Sequence, residues 1–178
     1  MDSTLINCEV IDELALEVNM QSEVAEITES AMRGELDFGE SLHQRLSLLK
    51  GAPISILSKV LDRIEYIPGA KRLISKLKSL GYKTAIISGG FSFFTEHIKN
   101  SLSIDYAFAN VLEISNGILT GNIENCPLDG EMKNSLMKKL ADDLNLDLSR
   151  VIAVGDGAND IPMISNSGLG IAFRAKPK

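Results

Sequence analysis

The chain is poor in the residues that build metal centres and disulfide frameworks. Its 178 residues include two cysteines, two histidines and no tryptophan. Cys8 and Cys126 show no CxxC or Cys/His spacing, which predicts reduced thiols rather than a zinc site or a disulfide. His43 and His97 also lack a ligand partner at metal-binding spacing. We therefore expect a cytoplasmic protein whose chemistry depends on other side chains.

Positive charge and long apolar runs are also scarce. The 18 lysines and arginines are outnumbered by 24 aspartates and glutamates, which gives a formal net charge of -6. The basic residues are interleaved with acidic ones, whereas nucleic-acid binding needs them clustered. No apolar run approaches the roughly 20 residues that span a bilayer, and the start of the chain lacks the features of a signal peptide. The sequence predicts neither a nucleic-acid partner nor a membrane partner.

Helical periodicity dominates residues 9–68. Apolar residues recur there at helical spacing in three stretches, which are separated by Gly34 and by the break at 51–53. The stretches are Ile11, Leu14, Ala15 and Val18, then Leu42, Leu46 and Leu49, then Ile54, Leu57, Val60, Leu61 and Ile64. The pattern predicts a small helical cap over 9–68, inserted into a core made of residues 1–8 and 69–178.

Beyond Pro68, helical stretches alternate with short apolar runs at 85–87, 151–154 and 169–173. Apolar strands that alternate with helices indicate a parallel sheet covered on both faces. Asn116 and Gly117 suit the positive-φ positions of a hairpin turn, which predicts a two-stranded flap made of 106–112 and 119–124. The predicted fold class is α/β, a Rossmann-like parallel sheet with a helical cap and a small β-hairpin flap.

Polar residues stand at the ends of the predicted strands, where ligands bind in parallel α/β sheets. Asp156 follows the run at 151–154, Ser88 follows 85–87, and Asp2 opens the chain where a strand is expected to end. A carboxylate at such a place can hold Mg²⁺. Ser88 precedes Gly89 and Gly90, so its hydroxyl and the backbone N–H groups of this turn offer a seat for a phosphate.

Asp156 also fits a plain strand-to-helix turn, because aspartate is a common helix cap. Asn159 and Asp160 follow it within one turn, and three polar groups converging on a point exceed what a cap requires. Lys133, near the start of a predicted helix, fits an exposed surface position when considered alone. Its assignment to a site therefore depends on the pattern of the whole chain.

Four segments together form such a pattern. They are MDST at 1–4, KTAIISGGFS at 83–92, DGEMK at 129–133 and VIAVGDGAND at 151–160. In this order they resemble the motif set of the haloacid dehalogenase-like phosphatases, whose opening loop reads Asp-x-Asp-x-Thr. MDSTLINCEVIDELA, SGGFS and GDGANDIPMI resemble in particular the phosphoserine phosphatase branch. The resemblance implies Mg²⁺-dependent hydrolysis of O-phosphoserine to serine, the last step of serine biosynthesis, through an aspartyl-phosphate.

The resemblance also implies a role for each matching residue. Asp2 corresponds to the second Asp of the loop, the general acid and base, and the catalytic group would also include Ser88 and Lys133. The implied metal ligands are Asp2, Asp156 and Asp160. In the substrate site, Glu9 would meet the ammonium group of phosphoserine and Arg45 would hold its carboxylate in a bidentate pair. The remaining implied substrate contacts are Met32, Phe38, Ser88, Gly89, Lys133 and Asn159.

The family's nucleophile is the first Asp of the loop, at the position directly before Met1. The resemblance therefore implies that these 178 residues are a truncated and nearly inactive copy, without the first strand and the C-terminal end of the core. Two alternatives stay open: a non-catalytic module that binds phosphoserine or Mg²⁺, and a phosphatase for another small phosphomonoester. A receiver-type signalling domain is disfavoured, because the long insertion between Asp2 and Ser88 has no counterpart there.

Overall fold

Four helices follow one another between residues 10 and 63 in the computed structural model, which describes residues 1–124 and 126–175. They are α1 (Val10–Glu17), α2 (Gln21–Met32), α3 (Phe38–Ser47) and α4 (Ser55–Arg63). Helix α3 begins with a capping box, in which Asp37 Oδ1 accepts from the Glu40 N–H (2.8 Å) and Glu40 Oε2 accepts from the Asp37 N–H (3.0 Å). The helices predicted for this region are confirmed, while its status as a separate cap domain stays a prediction.

A strand, helix and strand unit follows α5 (Ala70–Ser79). It consists of β1 (Ala85–Phe91), α6 (Ser92–Leu102) and β2 (Tyr106–Asn110). The two strands run parallel, with Ala85 opposite Tyr106 and an irregularity in register between Ile87 and Phe91. At the start of the pair, Thr84 donates to Asp105 Oδ2 through its backbone N and its Oγ1, both at 2.9 Å. These two bonds anchor the two strands at the end opposite to the candidate site.

The hairpin consists of β3 (Leu112–Ser115) and β4 (Ile118–Ile123), which pair antiparallel. Its turn contains Asn116 at φ 50° and Gly117 at φ 78°, as the prediction required. The predicted first strand of the hairpin, 106–112, was wrong in its bounds. Residues 106–110 instead pair with β1, because α6 returns the chain alongside that strand.

The last part of the described chain is a second α/β unit. It consists of α7 (Gly130–Asp143), β5 (Ile152–Gly155), α8 (Ile161–Asn166) and β6 (Leu169–Ala172), with single 3₁₀ turns at Leu148–Arg150 and Ala158–Asp160. Strands β5 and β6 are parallel, with Ile152 opposite Leu169 and Gly155 opposite Ala172. The predicted α/β class and these strand positions are confirmed. No helix within the described residues is long and apolar enough to cross a membrane.

The parallel strands form two separate pairs in the described chain rather than the single predicted sheet: β1 bonds to β2, and β5 bonds to β6. The larger apolar core joins α1, α3 and α4 to β1 and α6 through side chains such as Leu14, Leu46 and Phe94. A smaller cluster of Met137, Ala153 and Met163 lies between α7, β5 and α8, and Ile87 of β1 packs against it. Helix α7 therefore holds the two pairs side by side, with their carboxyl ends toward one site.

Candidate active site

Asp2 lies against residues 88–90, the irregular carboxyl-terminal part of β1, which is called the Ser88 loop below. A Cβ placed on Gly90 would come within 2.9 Å of Asp2 Oδ2 and 3.2 Å of Ser88 Oγ, so the absence of a side chain at Gly90 permits this approach. Ser88 is buried, and its Oγ accepts a hydrogen bond from the Gly90 N–H (3.0 Å). The structure thus brings Asp2 and Ser88 together, as their positions at strand ends suggested.

The carboxyl group of Asp2 is in an unfavourable place for a negative charge. Its Oδ1 is buried and has no hydrogen-bond partner among the described residues. Burial raises the pKa of Asp2 from 3.8 to about 7; the ammonium of Met1 and then Lys133 oppose the rise, and Glu9 and Asp156 add to it. A carboxyl group that exchanges its proton near neutral pH suits general acid and base catalysis.

The opening loop is tied both to β5 and to the first helix. Thr4 Oγ1 donates to Asp156 Oδ1 (2.7 Å), a bond between residues 152 positions apart. Ser3 Oγ donates to Glu9 Oε1 (2.6 Å), directly before α1 begins. These two bonds place the opening loop between the acidic end of β5 and the carboxylate that the sequence assigned to the substrate ammonium.

Lys133 and Asp160 form a buried ion pair, with Lys133 Nζ 2.8 Å from Asp160 Oδ1. The other carboxylate oxygen of Asp160 accepts from the backbone N–H groups of Asp156 (3.1 Å) and Gly157 (3.2 Å). Gly155 makes this possible, since a Cβ there would overlap the Asp160 side chain. Asp160 therefore positions Lys133 and the loop that carries Asp156. Its role as a direct metal ligand stays a prediction.

Asn159 lies at the junction of that loop and α7. A Cβ on Gly130 would come within 2.7 Å of the Asn159 carbonyl oxygen, and a Cβ on Gly157 within 2.5 Å of its Oδ1. The segment around Asn159 is thus packed against the first residue of α7, three residues before Lys133. Asn159 therefore lies near the start of α7 and the loop that carries Asp156. Its contact with substrate stays a prediction.

The predicted substrate residues of the helical region differ in placement. Arg45 Nε donates to the Ser41 carbonyl (3.2 Å); burial lowers the pKa of Arg45, and the carboxylates of Asp12 and Glu9 oppose that effect. Arg45 and Glu9 are therefore close enough to interact electrostatically. The Phe38 ring reaches the Ser88 loop at the end of β1, since its Cζ would lie 2.8 Å from a Cβ on Gly89. Met32 is 67% exposed and lies outside this packed group.

The oxygens of the site suit a hard cation. Asp2 and Asp156 influence each other electrostatically, and the unpartnered Asp2 Oδ1 is an orphaned buried acceptor. Mg²⁺ is commonly held by one or two carboxylates, with phosphate oxygens and waters completing its shell. No group of three or more His, Cys, Asp or Glu side chains within residues 1–124 and 126–175 is arranged to hold a metal by itself. The donor set thus fits a metal shared with a phosphate group.

Sequence reasoning missed Asn110, the last residue of β2. Its Nδ2 donates to the Gly89 carbonyl (2.7 Å) and its Oδ1 accepts from the Leu128 N–H (2.8 Å). Asn110 is a polar residue at the carboxyl end of a parallel strand, the same signal that identified Ser88 and Asp156. It was overlooked because residues 106–112 were assigned to the flap.

Comparison with known proteins gives a consistent result. The family model for haloacid dehalogenase-like hydrolases matches residues 1–168. A phosphoserine phosphatase from Archaeoglobus fulgidus is 50% identical over 176 residues, which are 99% of this chain and 51% of that protein. One from Methanocaldococcus jannaschii is 47% identical over 99% of this chain and 83% of its own length. A solved structure of a substrate-bound phosphoserine phosphatase complex superposes with a TM-score of 0.94 at 46% identity, covering 99% of this chain and 84% of that one.

The α/β fold, the strand-end carboxylates and the buried lysine define a hydrolase of one superfamily: the chain belongs to the haloacid dehalogenase-like hydrolase family. Within that family its similarity lies with the phosphoserine phosphatases. The chain spans about half the length of the A. fulgidus relative, at 51%.

Proposed function

We propose that the protein is a Mg²⁺-dependent phosphomonoester hydrolase that releases phosphate from O-phosphoserine. The observation that carries the proposal is the convergence of Asp2, Ser88 and Lys133 at the carboxyl ends of β1 and β5. The names of its relatives support phosphoserine as the substrate. So does the presence of both a cation and an anion, Arg45 and Glu9, beside the phosphate seat, because an amino-acid head group needs one of each.

Asp2 supplies and recovers the proton of the reaction. The family resemblance assigns the nucleophile to a carboxylate directly before Met1, which forms a bond to phosphorus as the bond from phosphorus to the serine oxygen breaks. Asp2 gives its proton to that departing oxygen. It then takes a proton from the water that attacks phosphorus, while the bond from phosphorus to the nucleophile's oxygen breaks, so inorganic phosphate leaves and the nucleophile is a free carboxylate again. The pKa of about 7 at Asp2 suits both directions of transfer.

Two parts of the chain bind the phosphoryl group before any bond changes. The Ser88 hydroxyl stands at the carboxyl end of β1, shortly before α6 begins, and Lys133 brings a positive charge that Asp160 fixes in place. Mg²⁺ held by the backbone carbonyl of Asp2 and the carboxylate of Asp156, when bound, would neutralise phosphate charge, which leaves the Asp2 side chain free to move the proton. The helices from residues 10 to 63 cover the site, where Phe38 contacts the phosphate loop and excludes water.

The test compares residues 1–178 with two extended chains. One carries an apolar strand ending in Asp directly before Met1, and the other carries the same strand ending in Asn. We expect phosphate release from phosphoserine with Mg²⁺ only from the Asp-extended chain, because the covalent step needs a carboxylate. The Asn-extended chain controls for the effect of the strand on folding. Background rates from a folded Asp-extended chain would contradict the proposed function.

Arg45 gives a separate test of the substrate. In the Asp-extended chain, Arg45→Ala should raise KM for phosphoserine about 10-fold to 100-fold, since a charge-assisted hydrogen bond contributes about 1.5 to 3 kcal/mol. It should change KM little for phosphoethanolamine, which keeps the ammonium group and lacks the carboxylate. Arg63→Ala is the matched control, because Arg63 pairs with Glu13 and Glu17 on an exposed surface. Equal losses on both esters would remove Arg45 from the substrate site.

A further inference from the structure

The side chain of Asn110 joins two segments that the proposed mechanism uses separately. It is 2% exposed and makes one hydrogen bond to each segment. The orientation of its amide is fixed by chemistry, since the Gly89 carbonyl can only accept and the Leu128 N–H can only donate. A flipped amide would place two acceptors together and two donors together. The Asn110 amide therefore makes both hydrogen bonds in only one of its two orientations.

On one side, Asn110 holds the loop that follows Ser88. Its donation to the Gly89 carbonyl is the shorter of its two bonds, at 2.7 Å, and Gly89 is the middle residue of the Ser88 loop. A Cβ on Gly89 would meet the Phe38 ring on one side and the Leu128 carbonyl oxygen, at 3.4 Å, on the other. The backbone of this loop thus has little freedom to move once its carbonyl is held.

On the other side, Asn110 holds the approach to α7. Leu128, whose N–H it accepts at 2.8 Å, directly precedes Asp129, the N-cap of α7. Asp129 Oδ1 accepts from the Met132 N–H (2.8 Å), and Lys133 follows immediately. The start of α7 is fixed at Asn110, and the tip of the Lys133 side chain is fixed at Asp160. The position of the ammonium group relative to the phosphate loop thus depends on both anchors.

We propose that Asn110 is a positioning residue that sets the distance between the Ser88 loop and Lys133, the two groups that hold phosphate. The inference rests on the proposed function, because it concerns the same phosphate seat. Asn110 itself acts through its two hydrogen bonds and not through contact with substrate. Its loss should therefore weaken phosphate binding beyond any loss of folding stability.

The experiment uses calorimetric titration of residues 1–178 with inorganic phosphate and with phosphoserine, both in Mg²⁺ buffer. Asn110→Asp keeps an acceptor for the Leu128 N–H and removes the donor to the Gly89 carbonyl. Thr84→Val is the matched control, because Thr84 ties β1 to β2 through a buried hydrogen bond at the opposite end of the same strands. Thermal unfolding of both variants measures the structural cost alone.

We expect Asn110→Asp to weaken both ligands about tenfold or more, the effect of losing roughly one hydrogen bond, while Thr84→Val stays within about twofold of wild type. Equal affinities in the two variants would overturn the proposal. If the wild type binds phosphate and not phosphoserine, the proposed substrate fails, and Asn110 is judged on phosphate alone. If it binds neither, both inferences fail.

A second measurement covers the case in which Asn110→Asp does not fold. In a ¹⁵N-labelled wild-type chain, adding phosphate should shift the amide signals of Gly89 and Gly90 together with the Nδ2 side-chain signals of Asn110. A shift of the two glycines without any response from Asn110 would overturn the proposal, because the bond to Gly89 would then be insensitive to occupation of the seat.

Discussion

A carboxyl group that keeps its proton to about pH 7 makes folding stability depend on pH, and Asp2 is such a group. Above pH 3.8 the unfolded chain has begun to lose this proton, while the folded chain holds it to about pH 7. The unfolded state therefore binds fewer protons in this window, and the free energy of unfolding falls as pH rises through it. Above about pH 7 the folded chain also carries the charge, and the free energy of unfolding is lowered by the full cost of burying it.

Asp2→Asn should remove this dependence. In a metal-free buffer at about pH 8 the variant should be more stable than wild type, by at most about 4 kcal/mol, and near pH 4 the two should differ little. Urea unfolding at several pH values measures the effect. Asp142→Asn, on an exposed part of α7, should keep the wild-type dependence. A wild-type chain that is equally stable at both pH values would contradict the raised pKa.

Sequence alone identified a site residue where that residue directly follows a predicted strand. Ser88 and Asp156 each follow an apolar run, and each has a glycine next to it, Gly89 and Gly157. Lys133 needed the family resemblance, because a lysine near a helix start carries no signal of burial. The pairing of Lys133 with Asp160 could not be predicted, since 27 positions separate them and only the packing of α7 against the β5 loop brings them together.

Among the structural elements, the junction of β5 with the loop after it has the least free space. Gly155 ends β5, and a Cβ there would overlap Cβ, Cγ and Oδ2 of Asp160. Gly155→Ala should push Asp160 away from Lys133 and from the loop N–H groups. Breaking one partner of a buried ion pair costs about 3 to 5 kcal/mol, so we expect a destabilisation of roughly that size.

Chemical unfolding measures this loss, and calorimetric titration with inorganic phosphate in Mg²⁺ buffer measures its effect on the site. Gly39→Ala in α3 is the control, since a Cβ there finds its closest neighbour, Asp37 Oδ1, at 3.3 Å, and alanine favours helix. That variant should change stability by less than about 1 kcal/mol. Equal stability losses in the two glycine variants would show that Gly155 is not needed for the approach of Asp160.

Helices and strands were predictable from sequence where the apolar periodicity was strong. Which strand pairs with which was not predictable. A helical stretch was predicted between Pro68 and the apolar run at 85–87, and α5 occupies Ala70–Ser79. The run at 106–112 predicted a strand correctly and its partner wrongly. A short apolar strand looks the same in a hairpin as in a parallel pair, and the choice is made by the packing of α6 on β1 and β2.

At the scale of the whole molecule, the pair of β5 and β6 has an apolar face that the described residues, 1–124 and 126–175, leave partly exposed. Residues opposite one another across β5 and β6 point to the same face, with Ile152 opposite Leu169 and Val154 opposite Ile171. These four side chains are 39% to 53% exposed, whereas Ala153, on the other face, packs against α7 and α8. A continuous sheet was predicted from sequence because hydrophobic runs report that a strand is buried and do not report which strand pairs with it.

This face should bind hydrophobic dyes and promote self-association of residues 1–178. Val154→Thr with Ile171→Thr should lower dye fluorescence and the sedimentation coefficient at high concentration. Stability should change by only about 0.5 kcal/mol for each substitution, because both side chains are already partly in water.

The matched control is Ile114→Thr with Ile118→Thr on the hairpin, where the two isoleucines are 47% and 42% exposed. Removing comparable exposed surface there should leave dye binding and sedimentation unchanged, since these side chains lie outside the face of β5 and β6. A control pair that lowers the dye signal as much as the β5 and β6 pair would mean that scattered exposed isoleucines bind the dye.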